Sequence, residues 1–416
     1  MRIVIVGGGI SGLVAALSLQ AVGLEAVVFE EAEKLDPVGV GINLLPSAVR
    51  ELSELGLGAA LEEASVMPHR LAYCDRAGDL LWQEALGRPA GFMWPQCSVH
   101  RGVLQTLLLR EVDRRIPGAV RTGNSLLGFE ADETGVDAQL YDRAAGRNVT
   151  YRADVLIGAD GINSRVREKL YPSEGPALWN GVHMLRGLST GVGLLDGRTV
   201  IVAGGTPGAK FIAYPILAPA RPGDVSRLEP ALNWVLETRP PEPNHEDLVV
   251  QRMTAGQVRH QLRDWTIDFI DMDALLSSAA GIARFPMLDR DPLPRWSFGP
   301  ITLLGDAAHP MYPMGMNGGT QSIIDARVLA HCLARTLDPC RALHDYEAIR
   351  RPRLNRLVRA NRLLGPERII KLVEQRGSHG ASESLNRIAA HYKSLTQALP
   401  ADVNHAPSWS YQLGLE

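Results

Sequence analysis

Three glycines, Gly7, Gly9 and Gly12, break the apolar run VIVGGGISGLVAAL, and three acids, Glu30, Asp160 and Asp306, each stand at or just past the end of a strand-like apolar segment. Glycines at that spacing serve the backbone. The first permits a tight turn, the second lets a diphosphate touch the main chain, and the third lets helix and strand pack closely. The free amide N–H groups of the helix start, Ser11 among the residues around them, then face the phosphates at the positive end of the helix dipole. Glu30 follows about 20 residues later, where a carboxylate accepts hydrogen bonds from both ribose hydroxyls of an adenosine. This is dinucleotide chemistry, and the glycine pattern alone does not separate NAD from FAD.

The elements around these residues have the order such a site needs. A strand from Arg2 to Val6, a glycine turn, a helix from about Ile10 to Val22 stopped by Gly23, and a second strand EAVVFE form a βαβ unit. Helical spacing returns from Pro46 to Gly58 and in HRGVLQTLLLREV, which carries Arg101 and Gln105. Residues 125–158 alternate as strands and end in the buried run VLIGA, directly before Asp160 and Gly161. A further buried strand, ITLLG, delivers Asp306, and the chain then reads as helical from about Thr320 to at least Leu364. Both aspartates thus emerge where an open α/β sheet binds ligands, outside the carboxyl ends of its strands. An N-cap on the following helix is the competing role for either.

Composition narrows the partners. The 416 residues are 45% hydrophobic, enough for about two domains, and 43 basic against 46 acidic residues leave a net charge of −3. That balance argues against nucleic acid and anionic membrane surfaces and for a small-molecule partner. No apolar stretch reaches the roughly 18 residues that span a bilayer. Cys74, Cys97, Cys332 and Cys340 have neither metal nor disulfide-scaffold spacing, so free thiols, no metal site and a cytoplasmic location are expected. The basic stretch RRPRLNRLVRANRLLGPER reads as a solvated helix face.

With these motifs together, the sequence resembles the class A flavoprotein aromatic monooxygenases of the p-hydroxybenzoate hydroxylase type, to about residue 365. Within that family the stretches PVGVGIN, NWV, DRDPLP and ITLLGDAAHPMYPMG are most like its phenazine-hydroxylating members. The resemblance implies an α/β (α+β) fold: a Rossmann-like FAD-binding domain from residues 1–72, 98–177 and 285–365, an inserted, mostly antiparallel sheet domain from 73–97 and 178–284, and a C-terminal helical segment and tail at 366–416. It implies FAD as cofactor, with Asp306 at the ribitol, Asp160 and Gly161 on the pyrophosphate side, and Arg101 and Gln105 in further contact. It also places the flavin ring beside Pro313, Gly315, Gly318 and Gly319, whose backbone and helix start would stabilise the reduced, anionic ring. NAD(P)H would reduce FAD, and a flavin C4a-hydroperoxide formed with O2 would hydroxylate the substrate. A fused, phenazine-like aromatic fits that branch, in a monomer or homodimer.

The inserted strands supply the substrate candidates His183, Arg186, Phe211 and Tyr214, with Phe92 and Trp94 from GFMWPQ. His309 is read as structural rather than as the substrate's base. A flavin disulfide reductase would need a second fingerprint and a redox cysteine pair, and a halogenase would show WxWxIP. One alternative stays open at this point, a flavin-binding carrier or partner protein without oxygenase activity. A purified carrier would be yellow yet show no aromatic stimulation of NADH oxidation.

Overall fold

A computed structural model describes residues 1–37, 39–204, 209–221, 223–240 and 248–364, and beyond these 386, 387, 390, 393–395 and 399–409. The apolar strands Arg2–Val6 and Val155–Gly158 lie side by side in a six-stranded sheet. Its order is Ser297–Phe298, Ile301–Leu303, Val155–Gly158, Arg2–Val6, Glu25–Phe29, Val120–Arg121. All pairings are parallel except the edge hairpin of the first two. Parallel strands are covered on both faces, which is why these segments are continuous apolar runs. The helix Ile10–Gln20 packs against the helices Arg101–Arg115 and Asn317–Ala334. A three-stranded antiparallel sheet, Asn124–Asp132, Gly135–Asp142 and Arg147–Ala153, is the alternating region expected before VLIGA.

The second large sheet has eight strands in the order Gln251–Met253, Ala279–Asp289, Leu178–Thr190, Asp224–Thr238, Lys210–Arg221, Thr199–Gly204, Arg70–Cys74, Leu80–Ala85. It is antiparallel except where Thr199–Gly204 meets Arg70–Cys74. One face buries Phe211, Trp234, Leu236, Leu262, Trp265 and Leu275 beneath the short helices Ala255–Gln261 and Met272–Ser277. The other face looks toward the nucleotide-binding sheet. Strands Arg70–Cys74 and Ala279–Asp289 each run through a point, 72/73 and 284/285, at which a domain edge is expected from the sequence.

Local breaks follow from backbone chemistry. The helical pattern from Pro46 to Gly58 is two helices, Pro46–Glu54 and Gly58–Glu63, separated at Gly56, whose φ of 79° ends the first. The basic stretch belongs to the helix Pro339–Leu364 and is not simply a solvated face. Arg350 is buried and bonded to Asp325, and Arg362 reaches Asp289 and Asp291, whereas Arg356 and Arg359 point outward. Of the expected C-terminal segment, residues 366–385 lie outside the described residues. Residues 399–409 are docked: Arg50 donates to the carbonyls of Val403 and Ala406, and the Trp409 amide to Glu51. Cys74, Cys97 and Cys332 are buried free thiols and Cys340 is exposed. Burial pushes Cys74 and Cys332 up to about 11 and Cys97 to about 12. No helix among the described residues is long and apolar enough to cross a membrane.

Candidate functional site

A single cavity of about 1130 Å³ runs from the glycine turn to the open face of the eight-stranded sheet. Small-ligand pockets occupy roughly 300–1,000 Å³, so this one has room for a dinucleotide together with a second molecule. Gly7, Gly9, Ser11, Glu30, Arg101, Gln105, Asp160, Gly161 and Asp306 all line it. Gly12 does not, because its place is structural: a Cβ there would come within 2.0 Å of the Gly7 carbonyl oxygen. Gly7 takes a φ of 106°, and a Cβ on Gly9 would meet nothing within 4 Å. The turn therefore leaves a bare backbone at the start of a helix with no side-chain cap and no acid in its first turn. That is the cradle a diphosphate requires, and these residues fit the pyrophosphate of FAD.

The side chains around the turn hold it in place. Glu30 accepts from the amides of Gly8 and Ala32 at 2.7 and 2.9 Å, and Gln105 donates to the Gly8 carbonyl at 2.9 Å. A carboxylate has about four lone-pair positions, so Glu30 retains capacity for ribose hydroxyls. The competing role raised for Asp160, the N-cap, is filled by Ser164, and Asp160 supports it: its carboxylate accepts from the Ser164 hydroxyl and from the amides of Arg165 and Val166, fixing the start of the helix Arg165–Leu170. Asp306 differs. Its side chain is exposed at the cavity surface, and the enclosing protein pushes its pKa up by desolvation despite the opposing pull of His309 and Arg101. The preceding Gly305, at φ 63°, sits where a Cβ would lie 2.6 Å from the Ser11 hydroxyl. The two distant segments thus touch at a point where only glycine fits.

Beyond Asp306, the residues Met311, Pro313, Met314, Gly315, Met316, Asn317, Gly318 and Gly319 line the middle of the cavity. Gly315 and Met316 both have positive φ, 62° and 61°, and they turn the chain into the helix Asn317–Ala334. The first amides of that 18-residue helix face the cavity without a side-chain cap. His309 lies outside the lining. It is buried against Trp296, and its Nε2 meets Asp325 at 2.5 Å. Burial alone would raise Asp325, but Arg350 and His309 outweigh it and hold the carboxyl below its usual range. Asp325 also accepts from the Gly305 amide at 3.3 Å, so this buried cluster braces the turn that carries Asp306.

At the sheet end the sequence candidates separate. Arg186 and Tyr214 line the cavity, whereas His183, Phe211, Phe92 and Trp94 do not. Phe211 and His183 are inward residues on their strands: Phe211 packs edge-to-face on Trp265, and His183 lies against Trp179. Trp94 packs beneath Arg50 on the nucleotide domain. The Tyr214 hydroxyl donates to the Gly41 carbonyl at 2.7 Å, and burial pushes its pKa to about 12. Asn233 accepts from the Gly41 amide at 2.7 Å, so the sheet grips the strand Gly41–Leu44 of the nucleotide domain. Arg186 reaches the same carbonyl with one nitrogen at 3.3 Å, its Nε has no partner, and no described carboxylate pairs with it. Burial lowers its pKa. The sequence reading missed Tyr73, Val202, Ile212, Val235, Lys210 and Glu237, all of which line this end. The signal for the last two was a charge set in the inward alternation of apolar strands.

The family described as "FAD binding domain" matches residues 1–361. Phenazine 1,6-dicarboxylic acid hydroxylase of Lysobacter antibioticus is 42% identical over 373 residues, covering 86% of this chain and 89% of that protein. 3-Hydroxybenzoate 6-hydroxylase 1 of Aquipseudomonas alcaligenes is 30% identical, covering 86% of each. In fold, the chain superimposes on a salicylate hydroxylase substrate complex with a TM-score of 0.72 at 21% identity, covering 100% and 99% of the two chains. It also matches Klebsiella pneumoniae HpxO complexed with FAD and uric acid at a TM-score of 0.73 and 24% identity, covering 98% and 97%. The chain therefore belongs to this FAD-binding family and is an FAD-dependent aromatic hydroxylase of the class A flavoprotein monooxygenases.

Proposed function

We propose that the protein hydroxylates a flat, fused aromatic acid of the phenazine carboxylate class, using NAD(P)H and O2. When bound, FAD supplies hydride acceptance from NAD(P)H and transfer of one oxygen atom from O2 to an electron-rich ring carbon. The chain's own residues hold and shelter the reactants. Gly7, Gly9, Ser11 and the helix start behind them would hold the diphosphate, Glu30 the ribose, and Asp306 the ribitol, with Arg101 as the nearby cation. Gly161 would keep the turn beyond Asp160 open on the pyrophosphate side. Pro313 and Gly315 shape the loop that would receive the ring, and the amides of Asn317, Gly318 and Gly319 would stabilise negative charge on it. Tyr73, Val202, Ile212 and Val235 form an apolar wall that keeps water from the reacting carbon.

One observation carries the substrate class: Arg186, a partly buried guanidinium lining this end with its Nε unpartnered and no described carboxylate paired with it. A cation so placed is matched by an anionic ligand, and a planar guanidinium suits a carboxylate. The likeness to the Lysobacter phenazine 1,6-dicarboxylic acid hydroxylase supports the fused ring. The test is a panel of benzoates, naphthoates and phenazine carboxylates incubated with the FAD-loaded enzyme and NADH or NADPH, with products weighed by mass spectrometry. The expected result is nucleotide oxidation coupled to a product one oxygen heavier, best with the fused acids. Stimulation by benzoates alone would refute the ring class, and absence of any oxygenated product would refute the oxygenase reading.

A further inference from the structure

The strand register resolves the substrate wall into rows. Gly204, Lys210, Glu237 and Met184 are successive cross-strand partners, and Tyr73, Val202, Ile212, Val235 and Arg186 form the adjacent row. Tyr214 opposite Asn233 forms a third, and it is the row that grips Gly41 of the nucleotide domain. Side chains two apart on a strand share a face, so the wall is polar at Gly41, apolar in the middle except for Arg186, and charged in the row farthest from Gly41. There Lys210 Nζ lies 2.6 Å from Glu237 Oε2, and the two side chains are only 6% and 5% exposed. Two strand spacings and two residues along the strands put the Cα atoms of Arg186 and Lys210 about 12 Å apart.

A buried ion pair is a poor source of stability, since apolar residues of similar size often do as well or better. It supplies a fixed, charged donor beside an acceptor, in the lining of a cavity that also holds the cation Arg186 in the adjacent row, two strands away. We propose that the Lys210–Glu237 pair is the second recognition point for the substrate, holding a carboxyl group at the end of a fused aromatic diacid opposite the carboxylate held by Arg186. Lys210 donates to that carboxyl, and Glu237 keeps the ammonium charged and oriented. This inference rests on the substrate class proposed above and deepens it: the wall measures the substrate between two charged points, Arg186 and Lys210.

The experiment is a titration of the FAD-loaded enzyme, read by flavin absorbance, with phenazine-1-carboxylate and phenazine-1,6-dicarboxylate. These differ only in the second carboxyl. The double variant Lys210→Met/Glu237→Leu removes both charges, so neither is left buried alone. Its Kd for the diacid should rise roughly 10- to 100-fold, the value of a charged hydrogen bond, while that for the monoacid stays within about threefold of the unaltered enzyme. Should the double variant fail to retain flavin, Lys210→Gln/Glu237→Gln carries the same comparison with neutral side chains that still hydrogen-bond each other, and the same selective loss for the diacid is expected. Equal effects on the two acids, or none, would overturn the end-wall assignment. Arg186→Met should weaken both acids. A null result there strikes the substrate class while the selective loss, read separately, still stands, and failure of the unaltered enzyme to bind either acid overturns both.

Discussion

The two ends of the cavity are built by different means. At the glycine turn the lining is backbone: bare amides at a helix start, a φ of 106° at Gly7 and a Gly12 that admits no Cβ. At the eight-stranded sheet the lining is side chains, Arg186, Tyr214, Lys210 and Glu237 among them, presented by the register of strands far apart in sequence. Backbone recognition tolerates almost no substitution and serves one constant ligand. Side-chain recognition can change residue by residue while the sheet stands, which suits the end that meets a variable substrate.

This contrast can be broken first at Gly12. Gly12→Ala sets a methyl against a main-chain carbonyl that cannot rotate away, so purified protein should contain almost no flavin, and normal flavin content would show the turn to be adaptable. Arg350→Met comes next. It leaves Asp325 buried beside His309 without its guanidinium, a loss of about 3–5 kcal/mol, seen as a large fall in melting temperature with no change in substrate preference. A change in preference would mean that the buried cluster reaches the substrate.

Asp306→Asn comes third. The carboxylate is exposed at the cavity surface, so the variant should bind FAD more weakly, because Asn accepts less strongly than a carboxylate from a ribitol hydroxyl, while the flavin-free protein melts as the parent does. Unchanged FAD affinity would remove Asp306 from the ribitol position. Smallest of all, Phe211→Leu should cost under about 1.5 kcal/mol and leave KM unchanged, since its ring packs on Trp265 behind the sheet. A raised KM would return Phe211 to the substrate wall.

The same contrast explains what could be read from the sequence. Gly7, Gly9, Gly12 and Glu30 lie within one βαβ unit, where spacing fixes geometry, and the turns carrying Asp160 and Asp306 follow recognisable buried strands. Asp160 is the partial exception: its carboxylate serves the next helix, an outcome that a single Asp-Gly pair leaves open. Arg186 and Tyr214 line the cavity and Phe211 and His183 do not for one reason. A strand shows which residues alternate but not which face meets the cavity, and that choice depends on pairings between residues as distant as Tyr73 and Val202. Lys210 and Glu237 were visible only as charges in apolar strands, and their pairing required the register.

The central claim is that a single cavity holds the nucleotide at the glycine turn and an aromatic acid at Arg186. Its most direct test is the steady-state kinetics of Arg186→Met against the parent enzyme, at matched flavin content, with the best fused acid from the panel. The account predicts that KM rises at least about tenfold, as expected for a lost charged hydrogen bond, with flavin content unchanged. An unchanged KM would contradict it, as would loss of flavin in place of loss of substrate affinity.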